Sequence, residues 1–211
     1  MNDFFKLLAA LIAGYLLGSL NTSVIVGRIY GKDIREYGSG SAGLTNALRV
    51  LGKPAAAFVL AGDILKGVVA CMAGLLIGVY FFSGDAGDCV SLYVAGVGAV
   101  IGHNWPIYFK FKGGRGALTA LAVLITADWK MAIVCIIIFV TVIAITRYVS
   151  LGSLCASVAG MAISFTPFFG NTIFFNLFCV ITASMIIVRH TANIKRLLSG
   201  TENKLSFKNK T

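Results

Sequence analysis

"PAAAFVLAGDILKGVVACMAGLLIGVYFF", residues 54 to 82, is a nearly unbroken apolar run with only Asp63 and Lys66 as charges inside it. At about 1.5 Å per residue a helix of this length reaches about 43 Å, and the hydrocarbon core of a bilayer is about 30 Å thick. The run therefore reads as a membrane-crossing helix. Helix is the expected form because backbone in contact with lipid must satisfy its own hydrogen bonds. Comparable runs extend from Phe4 to Ile29, Cys89 to Phe109, Met131 to Thr146, Leu151 to Phe169 and Thr172 to Val188. "ALTALAVLITA", residues 117 to 127, is equally apolar but short for a crossing, which implies a tilted or re-entrant helix. Counting it gives seven crossings; omitting it and one later segment gives five.

The whole composition agrees with a bilayer as solvent. Hydrophobic residues make up 58% of the 211, charged residues only 12%, and the mean hydropathy is +0.88. The expected architecture is all-α: a polytopic integral membrane helix bundle of about seven transmembrane helices. It forms one domain over residues 1–211, with a basic tail from about 190 onward. No large soluble domain or cleavable signal peptide is expected alongside it. Five cysteines (Cys71, Cys89, Cys135, Cys155, Cys179) are scattered in or beside apolar runs without CxxC or Cys/His ligand spacing. They read as packing residues, with no disulfide and no metal implied.

Cytoplasmic loops of membrane proteins retain lysine and arginine, and this bias sets orientation. With seven crossings and the N-terminus outside, all of the eighteen Lys and Arg except Lys6, Lys130 and the intrahelical Lys66 fall on the inner side, where the C-terminus also lies. The outer loops carry Asp85, Asp88 and Asp128 instead. The five-crossing alternative would move Arg147 outside. The net charge of +10 is then mostly topology, and no nucleic-acid partner is called for.

Under this assignment every polar, glycine-rich stretch faces the cytoplasm. "GSGSAGLTNALR" supplies Gly38, Ser39, Gly40, Ser41, Gly43, Thr45, Asn46 and Arg49. Glycines at such a turn let backbone N–H groups converge as an anion-binding nest. "GHNWPIYFKFKGGRG" sets His103 and Asn104 ahead of Lys110, Lys112, Gly113, Gly114, Arg115 and Gly116, a second phosphate-sized cradle. Either loop alone fits helix packing as well as binding, since small residues are common in membrane helices. Two on one face, each ending in arginine, point to phosphate ligands. "RHTANIKRLLSG" closes the last helix with His190 and Asn193 three apart on one helical face. Its basic residues also suit anionic lipid. "TRYVSLGS" adds Arg147, Ser150 and Ser153 at another inner turn. An isolated charge at a helix centre costs about 2.5–3.5 kcal/mol, so Asp63 and Lys66, three apart, are expected to pair with each other or with the basic loops.

Absences narrow the chemistry. The sequence has no His-Glu-x-x-His, no carboxylate cluster, no Walker loop, no HxxxxD box after either histidine and no Asp-rich alcohol-phosphotransferase motif. No cofactor is implied. From residues alone the reading is a membrane protein handling phosphorylated substrates at the cytoplasmic face. A transporter of phosphate or of a phosphorylated small molecule is one alternative, although no internal repeat is visible. A non-enzymatic lipid-binding scaffold is another.

In this order, "GSGSAGLTNALR", "GHNWPIYFKFKGGRGALTAL", "SLGS" and "RHTANIKRLLSG" resemble the bacterial acyl-phosphate:glycerol-3-phosphate acyltransferase family over essentially the whole chain. The resemblance implies a bacterial inner-membrane enzyme, working among membrane lipids with its active site at the cytoplasmic face. Its substrates would be acyl phosphate and sn-glycerol 3-phosphate, and its product 1-acyl-sn-glycerol 3-phosphate, the first acylation of phospholipid synthesis. It further implies essential roles for Ser39 and Arg49, with Thr45 and Asn46 beside them. Gly113, Gly114 and Gly116 would bind glycerol 3-phosphate with Arg115 as the cation, and His190 and Asn193 would orient a substrate. Two positions depart from the family pattern: Ser41 stands where asparagine is usual, and Arg115 where lysine is usual.

Overall fold

The computed structural model describes residues 3–81, 85–169 and 172–205. Every regular element in them is helical: α1 (Asp3–Gly18), α2 (Thr22–Ile29), α3 (Leu44–Leu51), α4 (Lys53–Phe81), α5 (Asp85–Asn104), α6 (Ala117–Ala127), α7 (Trp129–Thr146), α8 (Val149–Ile163), α9 (Ile173–Arg189) and α10 (Thr191–Leu198), with short 3₁₀ turns at Ile34–Glu36 and Ile107–Phe109. Lys208 and Lys210 of the tail, with Ser83 and Gly84, lie outside the described residues.

Three stretches are long and apolar enough to cross a membrane: Asp3–Ile29, Lys53–Tyr80 and Trp129–Thr146. A fourth runs through α9 and α10 if their 58° bend is taken within one span, while α6 and α8 are shorter apolar helices. By length and composition the count is thus three to four, below the seven expected from the sequence. Large apolar side chains on the outside of these helices, such as Phe58, Leu65, Ile137 and Val140, are exposed as lipid-facing residues would be.

Several boundaries differ from the sequence reading for local reasons. The first run is broken at Ser19–Asn21, where the Asn21 side chain accepts the Val24 N–H at 3.2 Å and restarts the chain as α2. The third helix ends at Asn104, not Phe109, because Pro106 lacks an N–H and cannot continue it. It also begins at Asp85, so the acidic stretch expected to be a loop is partly helix. The sixth apolar run is helical from Val149 only to Ile163.

At the centre, α1 and α5 touch through small residues. Side chains added at Gly14 or Gly18 would strike the backbone of Ala95 or Ala99, and additions at Gly98 or Gly102 would strike α1 in return. This is how membrane helices gain close contact without a hydrophobic driving force between them. One end of the bundle is filled by Tyr93, Phe175 and Phe178, with the Tyr93 and Phe178 rings stacked at 5.7 Å. The other end gathers the polar stretches, and the site is there.

Candidate active site

The first glycine-rich stretch is built around Asn46. Its amide donates to the carbonyls of Ile34 (2.9 Å) and Tyr37 (3.0 Å), and its oxygen accepts the Ser39 N–H at 2.9 Å. Gly38 takes the left-handed conformation (φ +62°) directly over this amide, where any side chain would collide with it. Arg35 ties this stretch to the next: bound to Asp33 through Nε (2.8 Å) and Nη2 (2.6 Å), it donates through Nη1 to Phe109 (3.0 Å) and more weakly to Lys112 (3.3 Å).

The second stretch is held from both sides. Gly114 donates its N–H to the carbonyl of His103 at 3.0 Å. Its carbonyl accepts Arg189 Nε and Nη2 at 3.0 and 2.8 Å, and Gly113 accepts Nη2 at 3.4 Å. Gly114 has no room for a side chain between the His103 ring and the Ala42 carbonyl. The N–H groups of Ser39, Gly40, Gly43 and Gly114 are therefore spent on internal partners rather than converging as a nest. The cationic groups turned to this region are guanidinium groups, those of Arg49 and Arg115.

Those groups cluster at the mouth of a cavity of about 490 Å³. Ser41, Gly43, Thr45, Asn46, Arg49, His103, Arg115, Gly116, Ser150, His190 and Asn193 all line it. Ser39, Gly38, Gly40, Asn104, Lys112, Gly113 and Gly114 do not. The far wall is apolar, with Leu121, Leu124, Met131, Phe139 and Phe178 among its residues. Burial and the neighbouring Arg196, Arg189 and Arg49 charges push the Arg115 pKa down to about 10, with Glu202 opposing them. Burial likewise lowers the pKa of Arg49, whose Nη2 lies 3.4 Å from the Asn203 carbonyl. Crowded cations that each disfavour one another's charge form a site that an anion would relieve.

Glu202 is the residue that sequence reasoning missed. Its carboxylate accepts from Ser150 Oγ (2.8 Å), Asn193 Nδ2 (2.7 Å) and Arg196 Nε (2.7 Å), so it joins the starts of α8 and α10 across the cavity mouth. Burial works against this carboxylate, yet the three hydrogen bonds prevail and hold its pKa below the ordinary glutamate value. The only signal in the sequence is a lone acid amid the basic tail. His190, at the bend between α9 and α10, places Nδ1 2.8 Å from the Ile186 carbonyl. Burial lowers its pKa to about 4; the Ile186 bond and Glu202 oppose the shift, while Arg115 and Arg189 add to it. It is neutral at pH 7.

Beneath the mouth, Asp63 and Lys66 pair as expected, with Lys66 Nζ 2.8 Å from Asp63 Oδ1. Lys66 also donates to the Leu20 carbonyl (3.2 Å) and lies 2.9 Å from His103 Nδ1. Asn104 is fully buried, and neither of its amide atoms has a hydrogen-bond partner among the described residues.

Comparison with known proteins gives the family and the fold. The family model for glycerol-3-phosphate acyltransferase matches residues 8–200. The glycerol-3-phosphate acyltransferase of Thermoanaerobacter pseudethanolicus is 45% identical, over 97% of this chain and 98% of the relative. That of Clostridioides difficile is 41% identical, over 98% of each. Crystal structures of PlsY (YgiH), an integral membrane glycerol 3-phosphate acyltransferase, superpose at 31% identity. Its glycerol 3-phosphate form gives a TM-score of 0.83 over 97% of this chain and 96% of that one, and its lysophosphatidic acid form gives 0.82. With a family model over residues 8–200, relatives above 40% identity across nearly the whole chain, and an all-helical membrane fold shared with solved structures, the chain belongs to the glycerol-3-phosphate acyltransferase family.

Proposed function

We propose that this acyltransferase moves a fatty acyl group from acyl phosphate to the 1-hydroxyl of sn-glycerol 3-phosphate, giving 1-acyl-sn-glycerol 3-phosphate and inorganic phosphate. The observation that carries the reading is the cavity's division between an arginine-lined mouth and an apolar wall. Both substrates bring a phosphate, and one brings a chain. Arg49 and Arg115, the arginines among the lining residues, suit the phosphates, because a guanidinium fork matches phosphate oxygens and stays charged. Leu121, Leu124, Met131 and Phe139 suit the chain. Asn193 and His190 orient the glycerol backbone. Relatives named for glycerol 3-phosphate and for the lysophosphatidic acid form support the acceptor and the product.

Acyl phosphate is a mixed anhydride with a good leaving group, so the protein has mainly to align the hydroxyl and stabilise developing charge. Both histidines are held by fixed partners through Nδ1, and the Glu202 carboxylate is already committed to three donors. In this reading a phosphate oxygen of the acyl donor takes the hydroxyl proton as the phosphate departs. The whole chain acts as one transmembrane domain of seven crossings in the bacterial inner membrane. Its N-terminus is outside, and its tail and active site face the cytoplasm.

The test is phosphate release from palmitoyl phosphate by purified protein, with and without glycerol 3-phosphate. Release that requires the acceptor and matches ester formation is the expected result. Release without the acceptor would make the protein an acyl phosphatase, and no release at all would favour transport of a phosphorylated molecule.

A further inference from the structure

The two histidines that line the cavity are held in opposite ring states. At His190, Nδ1 faces the Ile186 carbonyl at 2.8 Å, which can only accept, so Nδ1 carries the ring proton and Nε2 is left as an acceptor. At His103, Nδ1 faces the Lys66 ammonium at 2.9 Å, which can only donate. Lys66 is anchored there by Asp63 Oδ1 at 2.8 Å and the Leu20 carbonyl at 3.2 Å, and it is buried with Asp63 and His103. Nδ1 of His103 must accept, and its single ring proton sits on Nε2.

A second proton on His103 would set an N–H against the Lys66 ammonium. The charged groups around the ring are Asp63, at 3.9 Å from the same nitrogen, and Lys66, both from α4, with Arg189 from the end of α9. With Nδ1 turned to the Lys66 ammonium, the ring has one proton, on Nε2. His103 lines the same cavity as the polar Arg115 and Gly116 and the apolar Ala120 and Leu121, so the lining joins the two kinds of surface. A carbonyl placed between a phosphate and a fatty chain would lie at that junction.

We propose that His103 is a further catalytic residue: fixed as the neutral Nε2–H tautomer by Lys66, it donates a hydrogen bond to the acyl carbonyl oxygen as negative charge develops there. The assignment rests on the acyl-phosphate reading above. The glycerol hydroxyl oxygen bonds to the acyl carbon, and the carbonyl electron pair moves onto its oxygen, where the His103 N–H meets it. The pair then returns as the bond from the acyl carbon to the phosphate oxygen breaks, and the hydroxyl proton leaves on phosphate. His103 neither gains nor loses a proton. Lys66 is a positioning residue that acts through it.

Nitrogen-15 NMR of histidine-labelled protein in detergent reads the tautomers directly, with the His103→Gln spectrum assigning the signals. The expected result is an Nε2–H signal for His103 and an Nδ1–H signal for His190, both unchanged from pH 5.5 to 8.5. An Nδ1–H tautomer or a titrating ring at His103 in the wild type would overturn the proposal. Kinetically, His103→Ala should lower kcat by about 100-fold, as loss of one oxyanion donor does, with KM for glycerol 3-phosphate little changed. His103→Gln keeps an N–H at similar reach and should recover a measurable part. A loss confined to KM, or an alanine variant as active as wild type, sinks the catalytic role. Lys66→Met, made together with Asp63→Asn so that no lone charge is buried, should free the ring. A kcat-pH profile that is flat in the wild type would then gain a limb, whereas a profile that stays flat means Lys66 does not act through His103. Wild-type protein that fails to use palmitoyl phosphate defeats the donor reading itself, an outcome separate from an active wild type beside an active alanine variant.

Discussion

At the scale of single residues, Glu202 concentrates more of the site than any residue named from the sequence. Three donors from two helices converge on its carboxylate, and hydrogen bonds to a charged group contribute about 1.5–3 kcal/mol each. Glu202→Gln should therefore loosen Asn193 and Arg196 together: at least a tenfold fall in kcat/KM for glycerol 3-phosphate, accompanied by a lower thermal midpoint in detergent. An unchanged midpoint with normal kinetics would show the clamp to be dispensable. His190 yields a pH prediction. Its pKa of about 4 lies below the ordinary value near 6.5, so from pH 8 down to about pH 5 it stays neutral and cannot add an acid limb to activity. A His190-dependent inflection near pH 6.5 in kcat/KM would contradict this. What the sequence disclosed here followed short spacing. Asp63 and Lys66 lie three apart on one helix, and their pairing was readable. Glu202 and Ser150 are 52 residues apart and meet only through the fold. Asn46 lines the cavity, as a substrate ligand would, and its amide also joins Ile34, Tyr37 and Ser39, contacts that no local pattern announces.

At the scale of elements, the glycine loop before α6 behaves as a strap pinned by Arg189 rather than as a free cradle. Two guanidinium bonds reach the Gly114 carbonyl, and the same guanidinium lies 5.3 Å over the Trp105 ring. Arg189→Lys keeps the charge but not the fork, so the loop should lose its register and displace Arg115. The expected outcome is a several-fold rise in KM for glycerol 3-phosphate with a smaller change in kcat. A kcat effect alone would place Arg189 in the chemistry instead. Gly114→Ala should be harsher, because the added carbon meets both the His103 ring and the Ala42 carbonyl and must push the two loops apart. Loss of most activity is expected, while Gly31→Ala, where nothing lies within 4 Å, should have little effect beyond its left-handed backbone strain. Glycine spacing in the sequence marked both loops correctly as special. It could not distinguish a turn that presents N–H groups to a ligand from one that lets chains pass closely, because the residue is the same in both.

At the scale of the whole molecule, the site limits the topology more tightly than helix length does. Arg49, Arg115, Ser150 and Asn193 line one cavity, and Glu202 bonds to Ser150 and Asn193 while its charge acts on Arg115. The chain must therefore leave and return between each successive pair: out by α4 and back by α5, out by α6 and back by α7, out by α8 and back by α9. With α1 and α2 as one broken entry, this path is the seven-crossing arrangement proposed above. α6 has only 11 residues, about 16 Å of helix, so it reaches the far side only with help from its flanks or from a locally thin bilayer. Dropping it would strand the 18-residue α7, whose ends at Trp129 and Thr146 then could not return the chain to Ser150 beside Arg115. The turn after α7 makes the same point, since the Leu205 N–H donates to the Arg147 carbonyl at 2.8 Å and binds the tail to it. Single cysteines placed at Arg147, Lys112 and Lys130, in a background lacking the five native ones, separate the alternatives. With seven crossings an impermeant maleimide added to intact cells should label position 130 alone, and positions 112 and 147 only after permeabilisation. Labelling of position 147 from outside would restore the five-crossing arrangement and detach the α7–α8 turn from the cytoplasmic site.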